Sequence, residues 1–255
     1  VKGEKPPRSQ TDLFSLSVVL FRMLHLQHPL QGQKEYEIEI VDYDALVELY
    51  GHNPIFIYDP IDETNRPVKG KKDMADAYWP YYPAFIKERF IEAFTSGLHD
   101  PNQRIVESSW VKELSTLRAS LMYCYNCGEQ LFYDKSRLNQ VDKCPKCGKL
   151  VDTLPPRMKI GDSILMLNHD AVLYNSQISK LNTMDYEVPY LRVEVHPSHP
   201  EVWGIRNLSD EVWRYEGKDE VIKEVFKDGV IPIKDGLEIY FGNQVGYLKT
   251  GTKLA

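Results

Sequence analysis

Apolar residues occupy most positions of residues 12–24, and no clean polar face interrupts them. A helix that is apolar all round packs against protein on every side, so this segment predicts a helix that is buried on all sides. Ser9 and Thr11 are suitable N-cap residues, because their hydroxyl oxygens can accept hydrogen bonds from the first free amides. His28 and Pro29 end the helix, since the residue before a proline disfavours helical backbone.

Further helical segments are predicted before residue 122. One covers about residues 83–96, with Gly97 at its C-cap position. Asp100 and Pro101 predict another helical start, as an N-cap and a first helical residue. A last helix has one apolar stripe, formed by Trp110, Leu114, Leu117 and Leu121. Residues 53–83, which are rich in Pro, Asp and Tyr, are predicted to be mainly a structured insertion.

After residues 154–156, which resemble a plain linker, the apolar spacing changes from helical to alternating. Alternation of apolar and polar residues predicts strands with one face in a core. The clearest predicted strands are residues 190–195, 230–233 and 237–241. Because turn signals separate these short strands, we predict an antiparallel β-sandwich over residues 157–255. Trp203 and Trp213 are predicted to be packing residues of this sandwich or of a domain interface.

The cysteines form two Cys-x-x-Cys-Gly segments with sixteen residues between the pairs. This is the ligand spacing of a four-thiolate zinc ribbon. The predicted ligands are Cys124, Cys127, Cys144 and Cys147. Four thiolates leave no open position for water or substrate, so the predicted Zn²⁺ site is structural rather than catalytic. Two disulfides and a rubredoxin-like iron site use the same residues and are the alternatives.

The predicted ribbon covers residues 123–152, with short strands at about 131–133 and 149–151. Its aromatic residues are Tyr125, Phe132 and Tyr133. We expect these side chains to form a small core rather than a platform for stacking nucleic-acid bases. The ribbon is therefore predicted to be a folded spacer or a protein-docking module.

Composition places the chain among ordinary globular proteins, with 255 residues of which 42% are hydrophobic and 27% charged. The formal net charge of −6 argues against a nucleic-acid-binding surface. No apolar run approaches the roughly 20 residues that span a bilayer. Since thiolates that bind metal need a reducing compartment, we expect a cytoplasmic protein with no membrane contact.

Three segments of the helical part occur in a definite order. They are residues 11–21 (Thr-Asp-Leu-Phe-Ser-Leu-Ser-Val-Val-Leu-Phe), 28–32 (His-Pro-Leu-Gln-Gly) and 100–104 (Asp-Pro-Asn-Gln-Arg). In this order they resemble the opening of the central F helix, the His-Pro-Phe-x-Gly segment and the Asp-Pro-x-x-Arg segment of the eukaryotic-type protein kinase C-lobe. Phe14 and Ser17 depart from that family's tryptophan and glycine.

The kinase resemblance implies scaffold roles for two residues. Asp12 matches the aspartate that holds the catalytic-loop backbone, and Arg104 matches the arginine that pairs with the glutamate of the Ala-Pro-Glu motif. Without the resemblance, the residues themselves favour plainer roles, with Asp12 as a helix cap and Arg104 as a solvated surface arginine.

The family's motifs that position ATP and Mg²⁺ do not occur in this sequence: the Gly-rich loop, Val-Ala-x-Lys, His-Arg-Asp, Asp-Phe-Gly and Ala-Pro-Glu. We therefore expect a non-catalytic C-terminal portion of a serine/threonine kinase, whose missing part would bind ATP and Mg²⁺.

The closing segments, residues 204–209 (Gly-Ile-Arg-Asn-Leu-Ser) and 230–242, resemble parts of a forkhead-associated domain. The Gly-Arg and Ser-x-x-His elements with which that family reads phosphothreonine cannot be placed. Residues 211–213, Glu-Val-Trp, stand where the family has Asn-Gly-Thr. Because phosphate reading needs fixed donors and cationic charge, we expect a sandwich that docks on proteins rather than one that reads phosphothreonine.

The order of the three regions, a kinase lobe, a zinc ribbon and a forkhead-associated-like module, resembles that of bacterial kinases associated with tellurite-resistance and stress-response clusters. This resemblance implies a phosphatase and a von Willebrand-type adhesion domain as partners. We expect a multidomain α+β protein, with a partial kinase C-lobe at 1–122, a four-cysteine zinc ribbon at 123–152 and a forkhead-associated-like β-sandwich at 157–255. A stand-alone adaptor built on a degenerate kinase remnant is the alternative. A nucleic-acid-binding ribbon is a third hypothesis, which the charge disfavours.

Overall fold

A computed structural model describes residues 9–71, 73–134, 143–178, 187–216 and 221–251. The chain forms two compact units, here called the helical unit (residues 1–114) and the strand unit (residues 115–255). The part of the predicted ribbon at residues 135–142 lies outside the described residues. Among the residues described, no helix has the length and apolar character needed to cross a membrane.

The helical unit is built from short helices around one long one. The helices are α1 (Ser9–His25), α2 (Gln33–Tyr36), α3 (Tyr43–Val47), α4 (Met74–Tyr78), α5 (Ala84–Phe94), α6 (Ser96–His99) and α7 (Glu107–Ala119), the last of which continues into the strand unit. Single helical turns lie at Glu48–His52, Glu63–Asn65, Trp79–Tyr81 and Pro101–Gln103. The predicted insertion at residues 53–83 thus contains three helical pieces joined by irregular backbone.

Aromatic side chains fill the core of the helical unit. Phe21 of α1 is fully buried, and its ring meets those of Phe56, Phe90 and Phe94 edge to face at 5.6, 5.2 and 5.7 Å. Edge-to-face contact is favourable because the positive edge of one ring meets the negative face of another. These contacts hold α5 and the segment around Phe56 against one side of α1.

The prediction that α1 is buried on all sides is wrong for this structure. Its buried residues are Leu13, Ser17, Phe21 and His25, which follow one another at intervals of four and form a single face. On the other side of the helix, Val19 and Met23 are 52% and 68% exposed. The described residues thus cover one face of α1 and leave an apolar face in contact with solvent.

Two predicted helix boundaries differ in the structure, and a third is found where the sequence predicts it. Gly97 lies inside α6, so it is not the C-cap of α5. Leu121 lies in a strand rather than in the last helix, which ends at Ala119. Asp100 is an N-cap as predicted, and its carboxylate accepts a hydrogen bond of 2.9 Å from the amide of Asn102, although it begins only a single turn.

The strand unit contains twelve strands and one short helix among the described residues. They are β1 (Leu121–Tyr123), β2 (Gln130–Phe132), β3 (Arg157–Ile160), β4 (Ser163–Met166), β5 (Val172–Tyr174), α8 (Asn175–Ile178), β6 (Pro189–His196), β7 (His199–Asn207), β8 (Trp213–Glu216), β9 (Ile222–Val225), β10 (Val230–Pro232), β11 (Glu238–Phe241) and β12 (Gln244–Lys249). The strands predicted at 190–195, 230–233 and 237–241 correspond to β6, β10 and β11.

All described strand pairs are antiparallel, which confirms the coarse fold prediction of helices followed by antiparallel sheets. A six-stranded sheet has the order β4-β3-β12-β11-β8-β9, a four-stranded sheet has the order β10-β7-β6-β5, and β1 and β2 form a separate pair. Side chains from both larger sheets share one core, with Trp213 and Ile239 from the first and Leu191 and Ile205 from the second. This is the packing of a β-sandwich.

Candidate metal centre

The four cysteines converge, as the spacing of the two Cys-x-x-Cys segments predicts. Their Sγ atoms all lie within 4.8 Å of one another. The Sγ atoms of Cys124 and Cys147 are 3.8 Å apart, and those of Cys127 and Cys144 are 3.6 Å apart. A tetrahedral site with metal–sulfur bonds of about 2.3 Å has sulfur–sulfur edges of about 3.8 Å. All four cysteines are free, and these distances fit a shared metal ion better than a disulfide, whose sulfurs lie about 2.05 Å apart.

Each Cys-x-x-Cys-Gly segment folds into the same tight turn. The amide of Gly128 donates to the carbonyl of Cys124, and the amide of Gly148 donates to the carbonyl of Cys144, both at 2.8 Å. These two glycines have φ angles of +72° and +68°. Side-chain-bearing residues rarely adopt this left-handed backbone. Glycine at these positions therefore allows each turn to point two sulfurs at one centre.

The surroundings of the sulfurs act differently on two of the cysteines. The backbone amide of Lys149 interacts with the Cys147 sulfur and is the main cause that lowers the pKa of Cys147 to about 6. The backbone amide of Glu129 interacts with the Cys127 sulfur in the same way, but burial and the three neighbouring sulfurs outweigh it and raise the pKa of Cys127. The Lys146 ammonium forms an ion pair of 2.7 Å with the Glu129 carboxylate, which links the two turns. This carboxylate raises the pKa of Lys146, so its positive charge stays beside the sulfurs.

A small apolar core joins the cysteine turns to the β-sandwich. It contains Met122, Cys124, Leu131, Tyr133, Cys144, Leu154 and Met166. Met166 belongs to β4, an edge strand of the six-stranded sheet, and Leu154 belongs to the segment predicted as a plain linker. That linker prediction is wrong, because Leu154 is buried in this core and the Pro156 carbonyl accepts a hydrogen bond of 2.8 Å from Leu167.

Polar contacts reinforce the same junction. The Tyr123 hydroxyl donates a hydrogen bond of 2.7 Å to the Asp170 carboxylate. The side-chain amide of Asn168 donates to the carbonyl of Leu121. The cysteine turns and the sandwich are therefore held together by hydrogen bonds as well as by packing.

The aromatic residues of the ribbon do not all enter this core. Tyr133 is buried in it, as expected of a core residue, whereas Phe132 is only partly buried. Tyr125, which lies between two of the cysteines, is 99% exposed. The prediction of a shared aromatic core is thus wrong for Tyr125.

The donor set determines what the site can do. Four sulfurs fill a tetrahedral coordination shell, so a bound ion would have no position for water or substrate. Among the described residues, no other group of three or more His, Cys, Asp or Glu side chains is close enough to share an ion. The cluster can thus hold a metal ion, and its geometry is that of a structural site.

The two residues with predicted kinase-scaffold roles lie near the start of α1. Asp12 is exposed in the first turn of that helix. Arg104 donates to the carbonyl of Gly97 at 3.2 Å and to the carbonyl of Gln10 at 2.5 Å, and its guanidinium lies 5.4 Å from the centre of the Phe14 ring. Partial burial lowers the pKa of Arg104. Arg104 is therefore a packed residue that fixes the start of α1, not a fully solvated one.

Sequence reasoning missed the buried His25, which no motif marks. Its Nδ1 lies 3.2 Å from the carbonyl oxygen of Phe21, and its ring stacks on the Phe21 ring at 4.2 Å. The rings of Trp79 and Tyr82 lie 5.3 and 5.0 Å away. Burial lowers the pKa of His25 to about 4. The signal available in the sequence was its position four residues after Phe21 on the buried face.

Comparisons with protein-family models, with curated proteins and with solved structures find no match to this chain.

Proposed function

We propose that the chain is the C-terminal portion of a bacterial serine/threonine protein kinase. The helical unit would form the helical half of the kinase C-lobe, while the strand unit would contribute a structural metal centre and a protein-docking sandwich. The exposed apolar face of α1 is the observation that supports this proposal most strongly, together with the order of the three kinase-like segments.

The exposed face of α1 is here called the α1 stripe and consists of Val19, Met23 and Leu26, the last being the residue directly after the helix. Val19 and Met23 are four residues apart and lie on one side of the helix, and Leu26 follows directly after its last residue. All three are more than half exposed. Burying such side chains releases about 1.5–3 kcal/mol each. An apolar helix face of this kind is typical of an interaction surface, and here the upstream half of the kinase lobe would cover it.

The surroundings of Asp12 and Arg104 are compatible with the scaffold roles that the resemblance implies. Asp12 is exposed in the first helical turn, where its carboxylate is accessible to a further backbone segment. Arg104 uses two of its several N–H donors on backbone carbonyls. Its remaining donors leave capacity for a carboxylate such as the glutamate of an Ala-Pro-Glu motif.

The metal of the proposed protein is Zn²⁺. Zinc takes four thiolates in tetrahedral geometry, and such sites contribute directly to folding. Because four reduced thiols are required, a reducing compartment suits the protein, and we place it in the cytoplasm.

The proposed role of the β-sandwich, which we regard as forkhead-associated-like, is protein docking without phosphothreonine reading. Asn207 is fully buried and organises the loop after β7, where its side-chain amide donates to the carbonyls of Glu211 and Val225 at 2.8 and 3.0 Å. In that loop the Glu211 carboxylate accepts a hydrogen bond of 2.7 Å from the Tyr190 hydroxyl. A carboxylate at this position repels a phosphate instead of binding it.

The reading frame that contains this chain tests the proposal. We expect the codons upstream of Val1 to encode His-Arg-Asp and Asp-Phe-Gly in frame, and we expect the 255-residue chain alone not to bind ATP. A start codon immediately before Val1 would contradict the proposal and favour the stand-alone adaptor.

A further inference from the structure

The four cysteines differ in their access to solvent. Cys124 and Cys144 are 4% and 1% exposed, whereas Cys127 and Cys147 are partly exposed. Each Cys-x-x-Cys turn therefore keeps its first cysteine inside the small apolar core and presents its second cysteine at the rim of that core. A reagent that arrives from solvent meets Cys127 or Cys147 first.

Each partly exposed sulfur has a buried sulfur of the other turn beside it. The Sγ of Cys127 lies 3.6 Å from that of Cys144, and the Sγ of Cys147 lies 3.8 Å from that of Cys124. A disulfide places its sulfurs about 2.05 Å apart, so the sulfurs of each pair need to approach by less than about 2 Å. An accessible cysteine beside a second, resolving cysteine is the arrangement typical of redox-sensing thiols.

Two contacts besides a metal ion link the turns. The ion pair of 2.7 Å between Lys146 and Glu129 joins one turn to the other. The small apolar core contains Cys124 of the first turn and Cys144 of the second. These contacts keep the two sulfur pairs adjacent while the bonds to a metal ion are broken.

We infer that the cysteine centre is a redox switch, in which a peroxide converts the four thiolates into two disulfides and the metal ion is released. The switch requires the proposed Zn²⁺ site and is independent of the kinase proposal. Zinc has no redox chemistry of its own, so all the electrons come from sulfur. One disulfide joins Cys127 to Cys144 and the other joins Cys124 to Cys147, so that each connects the two turns.

The reaction balances for each sulfur pair. The thiolate of the partly exposed cysteine attacks one oxygen of the peroxide, the O–O bond breaks, and a sulfenic acid forms while hydroxide leaves. The buried thiolate of the other turn then attacks this sulfur, the S–O bond breaks, and a second hydroxide leaves as the S–S bond forms. Two protons from the solvent convert the two hydroxides to water. Each peroxide thus takes two electrons from one pair of sulfurs.

The oxidised centre no longer binds the metal, because the thiolate is the form of cysteine that ligates it. Both disulfides cross between the turns, so the turns stay connected after the metal has left. A reducing dithiol cleaves both disulfides by thiol–disulfide exchange and regenerates the four ligands. The switch is therefore reversible.

The test is a titration of the full chain, first shown to carry one zinc, with hydrogen peroxide in the presence of a chromophoric zinc chelator. We expect release of this zinc by about two molecules of peroxide per chain. Dithiothreitol and added zinc should restore the original metal content. Trypsin cleaves after Lys143 and Lys146 and chymotrypsin after Tyr125, which places the four cysteines on separate peptides. Mass spectrometry of the unreduced digest should then find Cys127 linked to Cys144 and Cys124 linked to Cys147.

Two matched variants test the pairing separately. In Cys144→Ser, Cys127 has lost its buried partner, so dimedone should trap its sulfenic acid while Cys147 still forms a disulfide with Cys124. Cys124→Ser should reverse this pattern, with trapping at Cys147 and a disulfide between Cys127 and Cys144. For a variant that fails to fold, the pairing mapped in the wild-type chain decides the question.

Three outcomes would overturn the inference. They are zinc that stays bound in a large excess of peroxide, disulfides that form only within each Cys-x-x-Cys turn, and a release of zinc that dithiothreitol does not reverse. A chain that carries no zinc before peroxide is added would contradict the proposed metal itself and the switch with it. Measuring the zinc content first therefore separates a failure of the metal proposal from a failure of the switch alone.

Discussion

The indole Nε1 of Trp110 donates a hydrogen bond of 3.3 Å to the Oγ of Ser17, and both side chains are buried. The Ser17 hydroxyl in turn donates to the carbonyl of Leu13 at 3.0 Å. The contact ties the beginning of α7 to the middle of α1. A serine here, where the kinase resemblance expects glycine, therefore gives the buried tryptophan an acceptor.

Replacing Ser17 with alanine should destabilise the helical unit. The buried indole N–H would lose its acceptor, and an unsatisfied buried donor costs about 1–3 kcal/mol. Denaturant unfolding followed by helical circular dichroism measures the change. Ser15→Ala is the matched control, because the exposed Ser15 hydroxyl makes the same type of bond to the Thr11 carbonyl and holds no tryptophan. Equal losses in both variants would show that the Trp110 contact contributes nothing.

Replacing Cys124 with serine should release the metal and destabilise the whole strand unit, not the ribbon alone. The reason is that Cys124 shares its core with Met166 of β4. We expect one zinc per wild-type chain by elemental analysis, and in the variant both metal loss and faster hydrogen exchange in β3 and β4. Tyr125→Ala, next to the same ligand but fully exposed, should retain the metal. Unchanged exchange in β4 after metal loss would refute this coupling.

Acidification should destabilise the helical unit through His25 and His28. Burial is the largest cause that lowers the pKa of each to about 4, against about 6.5 for an unfolded histidine. Between these values the unfolded state binds more protons than the folded state. The contribution of the two histidines to the free energy of unfolding is therefore fully present above about pH 6.5 and decreases toward pH 4. The loss is at most about 3 kcal/mol for each histidine.

His25→Phe should remove one of these two contributions. The free energy of unfolding of the helical unit should then depend less steeply on pH between about pH 6.5 and 4. Urea unfolding at several pH values measures the slope. His52→Gln is the control, since that side chain is about half exposed. A slope that stays at the wild-type value in His25→Phe would mean that His25 does not titrate in this way.

The sequence predicts the convergence of the four cysteines well because the geometry of each pair is local. Two Cys-x-x-Cys-Gly turns need only their own backbone, and the glycines at 128 and 148 have the left-handed φ that such turns require. Strand alternation likewise identified β6, β10 and β11. These features depend on neighbours within a few residues, which a pattern along the chain can reveal.

Features that depend on distant partners could not be predicted in the same way. Leu121 continues a helical stripe, yet it pairs with Phe132 across β1 and β2, and this pairing ends the helix. Leu154 lies before two prolines, a pattern typical of a linker, but it fills the core beside the cysteines. Tyr125 is aromatic without being buried. Tertiary contacts override the local preference in the first two cases.

The α1 stripe gives the most direct test of the proposed function. The measurement is transfer of the γ-phosphate of ATP to protein serine or threonine by the full product of the reading frame, as wild type and as Met23→Glu. We predict transfer by wild type and a loss of at least about tenfold in Met23→Glu, because the charge would prevent the rest of the lobe from packing on α1. Met74→Glu, at an exposed methionine of α4, should remain active. A full product that transfers no phosphate, or a Met23→Glu variant as active as wild type, would contradict the proposed function.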